Sequence, residues 1–277
     1  CKSIVKIIKN NKIVITHGNG PEVGNLLLQN EVASKFVPKM PLNILGAETQ
    51  GLIGYILQEE LINELRKNNI KKHIVSLITQ ALVDKNDIAF RNPTKFIGPF
   101  YKKNEINKLK FKVKKDSNRG YRRIVASPKP IKIIENKIIK KLIDKKYIVI
   151  CCGGGGIPVV LKNKKLIGVE CVIDKDLSSS LLGKEIRADL LLILTDVDYV
   201  YLNYGKNNQK ALKNLSVKKA KRHLMDGQFP PGSMGPKIEA AISFLENGGK
   251  KVIITNIEHA EKTLNGRFIA LFPKEIN

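Results

Sequence analysis

Apolar residues follow two rhythms along this chain. Short runs dense in Val, Ile and Leu predict strands over 12–16, 73–79, 147–152, 190–195 and 251–255. Between them, apolar positions at helical spacing predict helices over 21–35, 47–67, 135–145, 177–187 and 236–246. Alternation of this kind predicts an α/β protein, a three-layer α/β/α sandwich around an open, mostly parallel sheet covered on both faces. One stretch breaks the rhythm. Residues 87–123, "DIAFRNPTKFIGPFYKKNEINKLKFKVKKDSNRGYRR", are rich in Pro, Gly, Phe and charge and carry no long periodic run. They predict a small subdomain or flap inserted within one domain spanning 1–277.

In open α/β sheets, ligands gather outside the carboxyl ends of the strands. Three segments fall there: "THGNGPEVGN" after Ile15, "CGGGGIP" after Ile150 and "TDVD" after Leu194. Glycines let the main chain take positive φ and bring its N–H groups close to a guest, and an anion is the usual guest. Four consecutive glycines, 153–156, exceed what a turn ordinarily needs and point to close approach of a phosphate or nucleotide.

Two further segments carry charge where helices begin. In "GVECVIDKDL", Asp176 stands at an expected N-cap, and Asp174, Lys175 and Asp176 together form a candidate charged network at a ligand. "PGSMGPKIEAAISFLENGG" reads as a helix with Pro236 in its first turn and Ile238, Ala241, Ile242 and Leu245 as its apolar stripe. Lys237 is then misplaced, because a cation there opposes the positive end of the helix dipole by about 0.3–1 kcal/mol. A bound anion would remove the conflict. His73, His223 and His259 are isolated and read as ordinary surface or core histidines. Several phosphate-cradling loops with two or three lysines, and no G-x-x-x-x-G-K-[ST] signature, indicate a phosphotransferase that is not a P-loop enzyme.

Composition narrows the class. With 277 residues and 43% hydrophobic content the chain can bury a full core, and no run approaches the ~20 apolar residues a membrane span needs. The first ten residues lack a long apolar segment, so the expected location is cytoplasmic. Cys1, Cys151, Cys152 and Cys171 show no Cys-x-x-Cys spacing and read as free thiols. The formal charge of +24 is carried mostly by lysine, since only eight of the 49 basic residues are arginine, and Trp is absent. Specific nucleic-acid readers lean on arginine and aromatic stacking, so the charge reads as a diffuse lysine surface.

The chain resembles the carbamate kinases of the amino acid kinase superfamily nearly end to end. The resemblance rests on "THGNGPEVGNLLLQ", "TQGLIGYILQEEL", "NPTKFIGPFY", "RGYRRIVASPKPI", "CGGGGIPVV", "GVECVIDKDL", "LTDVDYVYLNYGK" and "GQFPPGSMGPKIEAAISF", in order. It implies the amino acid kinase fold and reversible phosphoryl transfer between ATP and carbamate, giving ADP and carbamoyl phosphate. It also implies Mg²⁺ carried on the nucleotide, with no protein-built metal site, and operation toward ATP in fermentative arginine breakdown.

The same resemblance implies roles for individual residues. Lys95 would reach from the inserted subdomain to the transferring phosphoryl group, and Lys237 would hold the nucleotide phosphates from the other side. Asp176 would orient both lysines. Lys175 would contact the nucleotide phosphates, with Gly153, Gly154, Thr195, Asp196, Asp198, Tyr204 and Met234 completing the nucleotide side. His17, Gly18, Asn19 and Gly20 would form part of the carbamate or carbamoyl-phosphate pocket. A homodimer is implied too, and the helix with Leu52, Ile53, Ile56, Leu57 and Leu61 has an apolar face broad enough for core and partner.

The chain departs from the family pattern at Glu22, Glu48 and Phe96, which touch pocket polarity and loop stiffness. A first family strand with a Gly-Gly-Asn loop has no counterpart ahead of Cys1, and the expectation is that the sequence omits it rather than that the protein lacks it. The rival readings are a sibling kinase acting on acetylglutamate, aspartate or uridylate, which would lack the "NPTK" insertion, and a basic nucleic-acid-binding protein on a kinase scaffold.

Overall fold

A computed structural model describes residues 1–9, 11–109, 111–116, 119–260 and 270–272. All five strands that the apolar runs predict are present: β1 (Val14–Ile15), β2 (Ile74–Ser76), β8 (Ile148–Ile150), β11 (Leu190–Leu194) and β15 (Lys251–Thr255). β8 lies between β1 and β2 and is parallel to both, with Val149 opposite Val14 on one side and Val75 on the other. Its three residues are fully buried, as a parallel strand covered on both faces requires. β11 and β15 run parallel in register from Leu190↔Lys251 to Leu194↔Thr255. Beyond β15 lie β16 (Ala270–Phe272) and β14 (Asn214–Ser216), antiparallel and then parallel.

A second group of strands escaped the sequence pattern. β10 (Lys165–Gly168), β9 (Ile157–Lys162), β3 (Gln80–Val83) and β7 (Pro130–Ile133) form a four-stranded sheet in that order, with β9 and β3 parallel and the outer pairs antiparallel. β12 (Val200–Leu202) and β13 (Lys210–Leu212) add a small hairpin.

The helices are α1 (Lys2–Ile8), α2 (Gly20–Ala33), α3 (Leu42–Lys67), α4 (Asn136–Asp144), α5 (Lys175–Ile186), α6 (Val217–Met225) and α7 (Met234–Glu246). Three apolar clusters hold them to the strands. Val149, Ile133, Ile139 and Leu182 join β8, β7, α4 and α5. Ile238, Phe244, Val252 and Ile254 seat α7 on β15. Ile8, Leu61, Ile148 and Ile150 join α1, α3 and β8. Each such side chain contributes about 1.5–3 kcal/mol relative to exposure. Cys151, Cys152 and Cys171 are buried free thiols, and burial pushes the Cys171 thiol up to about 12.

The irregular stretch is itself a sheet. β4 (Lys95–Tyr101), β6 (Tyr121–Val125) and β5 (Val113–Lys115) form a three-stranded antiparallel unit with β6 in the centre, and it runs two residues past the predicted end at 123. Buried Ile97 of β4 inserts among Val23 and Leu27 of α2 and Leu42 and Leu45 of α3. Among the described residues no helix is long and apolar enough to cross a membrane.

Candidate active site

The site is built around the first turn of α5. Its N-cap is Asp174, in extended backbone at φ −72° and ψ 123°, whose Oδ1 accepts from the N–H groups of Asp176 at 2.9 Å and Leu177 at 3.3 Å. The cap therefore lies two residues before Asp176, where the sequence reading put it. Asp176 falls inside the helix with its carboxylate released from capping.

Each carboxylate holds one lysine. Lys95 Nζ, at the start of β4, donates to Asp174 Oδ2 at 2.5 Å, and Lys237 Nζ, in the first turn of α7, donates to Asp176 Oδ2 at 2.9 Å. This corrects the expectation that Asp176 orients both lysines. The misplaced Lys237 is also explained: the anion that offsets the dipole of α7 is a carboxylate from α5.

The two pairs differ in environment. Lys237 and Asp176 are both buried, with side chains 11% and 10% exposed, whereas Lys95 is 36% exposed against 10% for Asp174. Removing one partner from a buried pair typically costs about 3–5 kcal/mol because the other charge stays desolvated. Burial pushes the Asp174 carboxyl up, but the Lys95 ammonium and the two capping N–H groups outweigh it and hold the group below the usual carboxylate value.

The glycine turn after β1 lies against the glycine run after β8. Gly154 N–H donates to the His17 carbonyl at 2.8 Å. A Cβ on Gly153 would meet the His17 ring at 2.5 Å, one on Gly154 the Asn19 side chain at 2.2 Å, and one on Gly155 the Ile173 carbonyl at 2.6 Å. Gly154, Gly155 and Gly156 also hold φ of +61°, +93° and +94°. Packing and backbone conformation thus account for glycine throughout 153–156, where the sequence reading invoked a phosphate. Gly153 and Gly154 buttress residues 17–20.

That buttress orders the turn. Asn19 Nδ2 donates to Thr49 Oγ1 at 2.9 Å, Gln50 bonds the Thr79 backbone in both directions, and Thr79 Oγ1 accepts from Cys152 N–H. Thr16 and Ser179 share a hydroxyl bond of 2.7 Å that ties the turn to α5. Lys175 lies over Gly18, its Nζ 3.6 Å from where a Cβ would be, while Gly20 has open space at that position. Burial pulls His17 below the usual histidine value against the opposing pull of the Gly18 carbonyl. The loop, Lys175 and both lysine–aspartate pairs converge on the first turn of α5.

Of the remaining predicted residues, Thr195, Asp196 and Asp198 follow β11, Tyr204 follows β12 and Met234 opens α7. Thr195 N–H donates to the Thr255 carbonyl, and the Asp198 carboxylate is engaged by Asn256 and His259. Asp196 is exposed, Tyr204 is exposed beside Tyr201, and Met234 opens α7 against the apolar cluster beneath it. Among the described residues, no hydrogen bond or ion pair joins them to the two lysine–aspartate pairs. Sequence reasoning missed the separate role of Asp174, although its i, i+2 spacing from Asp176 at a helix start was a usable signal.

Two lysine–aspartate pairs, one buried and one partly exposed, converging on the first turn of a helix beside a bare strand-end turn, define an α/β phosphotransferase. A model of the amino acid kinase family matches residues 1–256. A carbamate kinase of Pyrococcus horikoshii is 46% identical over 96% of this chain and 87% of its own length, and carbamate kinase 3 of Staphylococcus aureus is 48% identical over 96% and 89%. The solved carbamate kinase of Giardia lamblia bound to AMP-PNP superposes with a TM-score of 0.90 at 43% identity, covering 98% of this chain and 88% of that one. The chain belongs to the amino acid kinase family and, within it, to the carbamate kinases.

Proposed function

We propose that the protein transfers a phosphoryl group reversibly between ATP and carbamate through the site at the start of α5. The observation that carries this reading is the convergence of Lys95–Asp174 and Lys237–Asp176 beside the His17 turn. In the ATP-forming direction the bond between phosphorus and the carbamate oxygen breaks as one forms to the terminal oxygen of ADP. That exchange needs no protein nucleophile and no proton acceptor. It needs in-line positioning and positive charge over the equatorial oxygens.

The residues supply both. An ammonium has three donors and each aspartate takes one, so Lys95 and Lys237 keep donors for phosphate oxygens. Lys175 adds a third cation against two carboxylates, and the N-termini of α5 and α7 add their partial positive charge. Residues 17–20 are proposed to hold the carbamate end, and Thr195, Asp196, Asp198, Tyr204 and Met234, with Gly153 and Gly154, to border the nucleotide. The AMP-PNP bound to the Giardia relative supports an adenine nucleotide. Mg²⁺ is proposed to arrive on the nucleotide phosphates and to neutralise part of their charge.

The proposed assembly is a homodimer in the cytoplasm, working toward ATP in arginine breakdown. Leu52, Tyr55 and Ile56 remain exposed on α3 while Leu61 is buried, so this helix has apolar surface to spare for a partner. The free thiols suit a reducing compartment. Coupled assay of ATP formation from ADP and carbamoyl phosphate tests the activity. Absence of ATP formation, with acetylglutamate, aspartate or uridylate phosphorylated instead, would overturn the assignment.

A further inference from the structure

We propose that α2 is the mount that aims Lys95, through a backbone pivot between Gly24 and Gly98 and a brace between Glu31 and Arg123. The inference rests on the role given to Lys95 above. The pivot is a contact between two main chains: a Cβ on Gly24 would come 2.2 Å from Gly98 Cα and 2.5 Å from its nitrogen. Gly98 stands at a break in the β4–β6 register with φ +73°, and its carbonyl accepts from Arg122 Nε at 3.0 Å. The two glycines are thus required for different reasons, one by space and one by conformation. A Cβ on Gly98 itself would sit 3.9 Å from Gly24 Cα, an ordinary contact.

The brace lies seven residues along the same face of α2. Arg123 donates to Glu31 at 2.5 Å, and both side chains are mostly buried, 20% and 24% exposed. Arg123 occupies the central strand β6, opposite Ile97 on one side and Val113 on the other, with its guanidinium over the Phe111 ring at 4.6 Å. Two turns of helix separate the attachments by about 10 Å. A sheet held at one point can swing about it, whereas two points fix its angle as well as its place. Between them Leu27 packs on Ile97. Lys95 is three residues from the pivot on the same strand, and the His17 turn runs directly into the first turn of α2. One helix therefore sets the distance between the turn proposed to hold carbamate and the lysine proposed to meet its phosphoryl group. Gly24, Glu31 and Arg123 are positioning residues, since they act through Lys95.

The test is steady-state kinetics of ATP formation with thermal midpoints on Gly24→Ala, Arg123→Gln and Lys95→Ala. A Cβ at 24 must push β4 away by about 1 Å, a displacement that lowers turnover roughly 10²-fold. The expected result is that fall in kcat, a KM for ADP within about twofold of the parent, and a midpoint far above the assay temperature. Arg123→Gln should lower kcat by a smaller factor with the same KM split, and Glu31→Arg combined with Arg123→Glu should return part of it. Gly24→Ala and Arg123→Gln at normal turnover, with Lys95→Ala collapsed, overturn this inference alone. Should Gly24→Ala fail to fold, Arg123→Gln decides by the same criterion. Lys95→Ala at normal turnover removes the role of Lys95 and this inference with it.

Discussion

The two lysine–aspartate pairs have the same chemistry and opposite mounts. Lys237 comes from a helix packed on the central strands, is buried, and meets a buried carboxylate. Lys95 comes from a three-stranded unit attached through α2, is about one-third exposed, and meets a carboxylate that already caps a helix. A buried cation cannot lose its partner cheaply, while an exposed one is offset by water. The contrast assigns Lys237 to a fixed wall of the site and Lys95 to the arm that comes to it.

Removing the fixed lysine should have the largest effect and should damage two properties together. Lys237→Ala leaves Asp176 charged and desolvated, so stability should fall by about 3 kcal/mol, and turnover should fall roughly 10²–10³-fold with the loss of one preorganised donor. Denaturant midpoints and ATP-forming rates on one preparation measure both. The double variant Lys237→Met with Asp176→Leu sharpens the test, because it should regain stability without regaining activity. Normal turnover in Lys237→Ala would sink the assignment.

Removing the arm lysine should separate the two properties. Lys95→Ala should lower turnover roughly 10²-fold and lower the midpoint less than Lys237→Ala does, because Asp174, although as buried as Asp176, keeps the charge-assisted bonds from the two capping N–H groups. A drop in stability as large as that of Lys237→Ala would erase the distinction between wall and arm.

A smaller effect probes the shared carboxylate. Asn caps a helix as well as Asp, so Asp174→Asn should leave stability nearly unchanged. It should still release Lys95 and cut turnover about tenfold, the equivalent of one charge-assisted hydrogen bond near 1.5 kcal/mol. Asp174→Ala should add a stability loss of about 1 kcal/mol from the missing cap. Equal turnover in Asp174→Asn and the parent would show that Lys95 finds its place without the carboxylate.

The parts legible from sequence were those with strong local signals. Val149 and its neighbours form an unbroken apolar run, and the stripe of Ile238, Ala241, Ile242 and Leu245 has a clear helical period, so the central strands and α7 were readable. The sheet of β10, β9, β3 and β7 was not, because β9 follows directly on a glycine run that reads as loop and the short apolar stretches of β3, β7 and β10 are broken by Gln, Lys, Pro or Gly. In the site, the lysines and aspartates were identified as a group, but their pairing was not. Which carboxylate meets which ammonium depends on how β4 and α7 approach α5, and no local pattern encodes that approach. The run of glycines 153–156 stands out by its number, but the packing that demands it does not, since His17 and Asn19, which crowd Gly153 and Gly154, lie far away in sequence.

The smallest effect concerns His17, which belongs to the wall side of the site through its contact with Gly153. Burial disfavours its charged form, so its folded pKa lies below the ordinary 6.5 while the unfolded chain titrates near that value. As pH falls through 6.5 the unfolded state takes up the proton first, which makes stability decline toward acid and approach its full value above 6.5. The slope from one group cannot exceed about 1.4 kcal/mol per pH unit. Denaturation midpoints of the parent and His17→Gln at several pH values between about 5 and 7.5 isolate the contribution, because the other three histidines are common to both proteins. The parent should lose more stability than the variant toward acid. Identical slopes would mean that the ring takes its proton as readily folded as unfolded, and that the turn has room to hydrate it. The wall would then be open at the His17 turn, and the contrast with the Lys95 arm would narrow to the buried pair of Lys237 and Asp176.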